Sequence, residues 1–403
     1  CGLFYLFSDR CAQLIYHDSN EFSLYLKIIS FTCFFQITSL IPFQIYRAKL
    51  QSVKFIVVSI IGFVIQIILN IYLVVGLKLG VKGVLIGNAV STLAIFLVNI
   101  ALTKEVLFLN ISLVQLKDLV KFGMPLILVA IANWILQISD RILLEKLAST
   151  EELGLYSLGF RFASILLVVV IGPFSTAWGA YCFQIAKKEN AKEVFSKVAT
   201  YWLLILSFFG IGLLVFSPLV IKIMAAQPFW RAQKVLLPLI FMGVVSGMYT
   251  ILDLGVNIAK KTKYMAYIVG VGAFVNVALN YLLIPGYGML GAAFASFFTF
   301  VLIMAITYHV SQRLYFIPFE KMKLFKISFV FIVISSFSYF IEFANSFFDI
   351  SFRLFLIIAF IASIYLVKVF DKRELAFIKS VLINFKQTHG LINKIQYGFN
   401  LVK

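Results

Sequence analysis

Acidic side chains are scarce: 17 Asp and Glu in 403 residues, against 35 Lys and Arg, leave a formal charge of +18. Charged residues of either sign make up only 13% of the chain, about half of what a soluble globular domain carries. Histidine occurs three times and cysteine four times. His17, His309 and His389 stand alone, and Cys1, Cys11, Cys33 and Cys182 form no CxxC or His-rich spacing, so the reading assigns neither a metal nor a cofactor. No GxGxxG, Walker, HExxH or paired-carboxylate pattern occurs. The longest connections run to about 15 to 20 residues, little beyond ordinary loops. Together these absences argue against an enzyme.

What fills the space is apolar. Hydrophobic residues reach 62%, with 44 Phe, and the mean hydropathy is +1.02. No soluble core hides so much apolar surface, so the bilayer must be the solvent. Runs of about 20 apolar residues cross roughly 30 Å of hydrocarbon. They lie near 22–46, 53–75, 81–102, 120–145, 155–182, 198–221, 235–257, 264–285, 289–309, 326–344 and 351–370, which makes eleven full spans. Backbone polar groups in lipid must be satisfied within the segment, so each span is a helix and the fold class is an all-α polytopic membrane protein.

A long-period echo divides the chain. Gly62, Gln66 and Leu69-Asn70 recur 210 residues on as Gly272, Asn276 and Leu279-Asn280. Upstream, Phe7-Ser8 matches Phe216-Ser217, and downstream Gly80 and Gly83 match Gly288 and Gly291. A period this long is no solenoid repeat; it predicts a duplicated bundle, the construction transporters use for two lobes. The register implies that the first copy lacks two helices and most of a third. Cys1 to Phe7 then reads as the end of a transmembrane helix, at the start of a fragment, without the basic region and cleavage site of a signal peptide. The expected domains are the remainder of a first lobe (1–110), a second lobe (111–312), and two additional helices with a tail (313–403).

Lys and Arg alternate by loop. Residues 47–54, 104–121, 187–197, 260–263, 313–326 and the tail from 368 hold 24 of the 35 basic residues. The positive-inside rule makes that face cytoplasmic, C-terminus included. Lys78, Lys82, Lys222, Arg231 and Lys234 on the other side weaken the asymmetry without reversing it. Cations beside the membrane meet anionic lipid headgroups, so the basic pI needs no nucleic-acid partner. The tail from Asp371 onward, which mixes Leu, Ile and Phe with Lys, reads either as a helix on the membrane surface or as a frayed end.

Several spans carry polar residues at helical spacing. Asn133, Gln137, Asp140 and Arg141 fall at i, i+4, i+7 and i+8, on one face that belongs toward a bundle interior or a wet cavity rather than lipid. Arg161 begins the next span, where the turn can bring it beside that face. Two arginines there suit a pyrophosphate, because a guanidinium stays charged and binds phosphate oxygens in pairs. The competing reading pairs Asp140 with an arginine or leaves Arg161 at the interface. Tyr249, Asp253 and Asn257 share another face, and a lone membrane carboxylate either binds a coupling cation or proton or braces a neighbouring helix. The Gly62-Gln66-Asn70 and Gly272-Asn276-Asn280 faces read first as packing surfaces and second as cavity lining. Gly172-Pro173 predicts a kink.

Resemblance enters in the second copy. The run Lys121-Phe122-Gly123-Met124-Pro125-Leu126, then Ser139-Asp140-Arg141, then Gly154-Leu155-Tyr156-Ser157-Leu158-Gly159-Phe160-Arg161, precedes Leu279-Asn280-Tyr281-Leu282-Leu283-Ile284-Pro285 with Gly288 and Gly291-Ala292-Ala293. This ordered set resembles the polysaccharide flippases of the MOP superfamily, and within it the O-antigen or capsule-unit (Wzx-type) exporters. The resemblance implies two six-helix lobes followed by two extra helices, located in the bacterial inner membrane. It also implies export of polyprenyl-pyrophosphate-linked oligosaccharide by alternating access. Lipid-linked oligosaccharide, membrane lipids and a polysaccharide polymerase are the implied partners. The alternatives are a cation-coupled multidrug exporter of the same superfamily and, further off, a membrane glycosyltransferase or polymerase.

Overall fold

A computed structural model describes residues 20–49, 51–104, 112–341 and 346–370, with isolated positions at 2, 5, 7–10, 12 and 374. The chain forms two compact units, Cys1–Leu113 and Val114–Lys403. Regular structure among the described residues is helical throughout.

The first unit holds α1 (Asn20–Ala48), α2 (Ser52–Asn70), a π-helical turn over Ile71–Gly76, and α3 (Gly80–Thr103). Small residues set the approach of α2 and α3. A Cβ on Gly62 would collide with Ile95, and one on Gly83 would press against the Leu73 carbonyl. Amides tie the same contact, with Gln66 Nε2 donating to Asn88 Oδ1 at 2.7 Å. Between α1 and α3, the buried Tyr46 hydroxyl donates to Asn99 Oδ1 at 3.1 Å and Phe35 meets Phe96 edge-on. Asp9 accepts from Ser23 and pairs with Lys27 at α1.

The second unit begins with α4 (Leu113–Leu147) and α5 (Thr150–Ile165), which Ser149 caps by accepting from Glu152 N. A π-helical turn (Leu166–Ile171) leads into α6 (Gly172–Ile185). This is the expected kink: Pro173 has no N–H for the preceding turn, and the helix widens before it restarts. α7 (Ala191–Met224) and a 3-10 segment (Gln227–Val235) lead to α8 (Leu236–Leu252), α9 (Leu254–Ile258) and α10 (Lys263–Leu314). α10 is two spans joined at Gly288, whose φ of 53° and ψ of −130° are not helical. Counting its halves separately, the ten long apolar helices among the described residues match the eleven expected spans.

The duplication is visible in the contacts as well as in the letters. Gly272 lies against Ile303 as Gly62 lies against Ile95, and Gly291 lies against the Leu283 carbonyl as Gly83 does against that of Leu73. Asn276 donates to Ser296 Oγ at 3.4 Å where Gln66 donates to Asn88. Gly80 and Gly288 both take φ of +53°, a region nearly closed to residues with a Cβ. Both copies therefore make a sharp turn between spans and then press the next helix closely onto the last.

The closing pair, α11 (Lys321–Phe340) and α12 (Ser346–Leu366), packs on α7 through Phe195, Trp202, Leu206, Phe331, Leu356 and Phe360. A polar clamp holds one end: Thr200 donates to Glu320 (2.7 Å), Lys323 bridges Glu320 (3.0 Å) and Glu374 (3.3 Å), and Tyr201 donates to Glu374 (2.7 Å). The expected membrane-surface helix of the tail, and most of Cys1 to Phe7, lie outside the described residues.

Candidate functional site

The second unit is built around a buried polar knot. Asp140, 3% exposed on α4, accepts three hydrogen bonds: from the Tyr156 hydroxyl of α5 (2.5 Å), from Asn280 Nδ2 (2.6 Å), and from Ser296 Oγ (2.6 Å). Asn276 Oδ1 in turn accepts from Ser139 Oγ (2.7 Å) and Asn280 Nδ2 (3.1 Å). Four segments converge here: α4, α5 and both halves of α10. A polar group buried at membrane depth must find partners within the protein, and every partner of this carboxylate is neutral.

The stripe read from α4 is therefore divided. Asn133 and Gln137 are exposed and Arg141 half-buried, whereas Asp140 turns inward. Arg141 lays its guanidinium over the Phe160 ring, 5.1 Å from the centroid. Arg161 is exposed, on the side of α5 away from its buried Leu155, Tyr156, Gly159 and Ala163. The turn between α4 and α5 thus brings Tyr156, not Arg161, onto Asp140. Neither arginine pairs with Asp140 among the described residues.

On α8, Tyr249 packs against the cluster of Ala132, Leu136, Ile268 and Ala273. Asp253 sits at the break between α8 and α9, its carbonyl accepting from Val256 N (3.0 Å) and Asn257 N (3.1 Å). Asp253 and Asn257 thus meet through the backbone within one turn. No cluster of His, Cys, Asp and Glu able to hold a metal ion occurs among the described residues.

Sequence reasoning missed two features. Glu152 reaches across to the break in α10, where Oε2 accepts from Met289 N at 2.8 Å and Oε1 meets Arg231 at 3.4 Å. It supplies an acceptor for the unpaired backbone N–H groups at the start of a helix. The pattern Ser149-x-x-Glu152 was a readable capping signal, but its far partner was not. The second is Arg353, 2% exposed within α12 and paired with Asp349 at 2.7 Å; its i, i+4 spacing was the only hint.

Duplicated helical units with kinked spans, small-residue packing faces and polar residues at membrane depth define a polytopic transporter fold. Solved structures share it. The chain is similar to the lipid II flippase MurJ in an inward closed conformation, at TM-score 0.67 and 15% identity over 91% of this chain and 79% of that one. It is similar to a MATE transporter at TM-score 0.58 and 14% identity, over 77% of this chain and 75% of that one. Similarity to the Vibrio cholerae MATE transporter VcmN is comparable, at TM-score 0.58 and 16% identity over 77% and 74%. No curated protein sequence matches. Residues 1–232 match the family described as "Polysaccharide biosynthesis protein", and the chain belongs to that family.

Proposed function

We propose that this protein is a flippase that moves polyprenyl-pyrophosphate-linked oligosaccharide from the cytoplasmic to the outer leaflet of the bacterial inner membrane, by alternating access. The observation that carries the reading is membership of the polysaccharide biosynthesis family by a chain with a transporter fold. The exposed Asn133 and Gln137 and the half-buried Arg141 of α4, with the exposed Arg161, supply polar and cationic groups for a sugar pyrophosphate. Asp140 serves as the brace that holds α4 in position, and Asp253 with Asn257 and Tyr249 is the place for a coupling proton or cation. A polysaccharide polymerase would receive the product on the outer side.

The physics of the direction agrees. A membrane potential negative inside favours outward movement of an anion by about 2.3 kcal/mol per charge per 100 mV. The second reading is a cation-coupled multidrug exporter, favoured by the likeness to MATE folds. A cationic drug would be repelled by Arg141 and Arg161, whereas a pyrophosphate would be drawn to them. The test is export of lipid-linked oligosaccharide by Arg141→Gln and Arg161→Gln at normal protein abundance. Export should fall at least several-fold, and Lys should restore only part of it, since it keeps the charge but loses the paired geometry. Wild-type export in both Gln variants would place the anion elsewhere.

A further inference from the structure

At the end of the second unit opposite the 260–263 loop, α7, the 3-10 segment, α11 and α12 enclose a cavity of about 410 Å³. Its lining includes Pro218, Gln233, Lys234, Ser338, Tyr339 and Arg353. Arg353 is held rigidly: Nε donates to Asp349 at 2.7 Å and Nη1 to the Val215 carbonyl at 3.2 Å. Those two bonds fix the guanidinium plane, and Nη2 has no hydrogen bond among the described residues. Lys234 has no carboxylate partner among them either, so Asp349 neutralises one of two cations and one positive charge is left over. Ser338, 6% exposed, lines the same cavity with a hydroxyl that lacks any partner.

A planar donor held in place, a second cation and an unpartnered buried hydroxyl together form a receptor for phosphate oxygens. A stranded hydroxyl carries a desolvation cost that an occupant's oxygen would remove. Phe340, 77% exposed, and Tyr339 stand at the rim where α11 ends. Aromatic side chains of that kind settle at headgroup depth. The cavity therefore lies where lipid phosphates are.

We propose that this cavity binds the phosphate of an anionic phospholipid, with Arg353 and Lys234 on its oxygens and Ser338 completing the set. A phosphodiester carries one negative charge, which matches the one cation left unneutralised. The site shares no residue with the proposed transport path and stands whether or not that reading holds.

The full chain, purified in detergent, would be mixed with phosphatidylglycerol, phosphatidylcholine or inorganic phosphate and examined by native mass spectrometry. Phosphatidylglycerol should be retained in preference to phosphatidylcholine. Lys234→Gln and Ser338→Ala should each weaken retention about 3- to 10-fold, the value of one charge or hydrogen bond. Arg353→Gln alone would strand Asp349, so it is made together with Asp349→Asn, and that pair should abolish the preference. Equal retention of phosphatidylglycerol by wild type, Lys234→Gln and Ser338→Ala overturns the site. Thermal stabilisation by millimolar phosphate that disappears in Lys234→Gln, without any change in lipid retention, assigns the cavity to a soluble anion and overturns the lipid.

Discussion

Replacing Asp140 by Leu tests whether the polar knot or the surrounding apolar contact holds the second unit together. The carboxylate accepts from Tyr156, Asn280 and Ser296. Interhelical hydrogen bonds in membranes average about 0.6 kcal/mol and reach about 1.7, so losing three costs about 2–5 kcal/mol. The upper half of that range is expected, because the Tyr156 hydroxyl, 1% exposed, is left with no acceptor. The assay is reversible unfolding of the purified chain in mixed micelles with rising SDS. Arg141→Leu is the control: it is one residue away, half-buried and held by a single ring contact, worth about 0.5–1 kcal/mol. A double-mutant cycle with Tyr156→Phe should give a coupling of at least about 0.5 kcal/mol. If Asp140→Leu unfolds within about 0.5 kcal/mol of Arg141→Leu, the knot does not hold the unit and the reasoning fails.

The matched glycines should fail in matched ways. Gly62→Leu and Gly272→Leu each drive a side chain into an isoleucine and should cost about 1–3 kcal/mol in the same unfolding assay, with Ile95→Ala or Ile303→Ala restoring part of the loss in its own copy only. For topology, single cysteines at Lys188 and Lys261 in a cysteine-free background should be shielded from impermeant thiol reagents in intact cells, while one at the exposed Gln227 should label; labelling at the lysine positions would reverse the orientation.

The eleven spans were legible because membrane insertion is a local decision: about 20 apolar residues and a self-satisfied backbone suffice. The duplication was legible because two helices that must approach closely need small residues at the same points, and Gly62 and Gly272 meet that need against Ile95 and Ile303. The kink at Gly172-Pro173 followed from proline's missing donor. Glycine at 288 was visible as half of the echo, although its left-handed backbone was not.

The direction in which Asp140 faces was not legible. At 3.6 residues per turn, Asn133, Gln137, Asp140 and Arg141 fall within an arc of about 100°, so the pattern marks a polar side without fixing the rotation of the helix. That rotation follows from Asn280, 140 positions later, and Ser296, 156 later, whose side chains meet the carboxylate. The same holds for Glu152 at the start of the second half of α10 and for Arg353 on the Val215 carbonyl, 138 positions apart. Local pattern determined that this chain crosses a membrane in two related units and where each helix is polar. Only the packed structure decided which polar groups are sealed into bracing and which stay exposed, because decisive partners, Asn280 and Ser296 on Asp140 and the Val215 carbonyl on Arg353, are brought back by the chain from more than a hundred residues away.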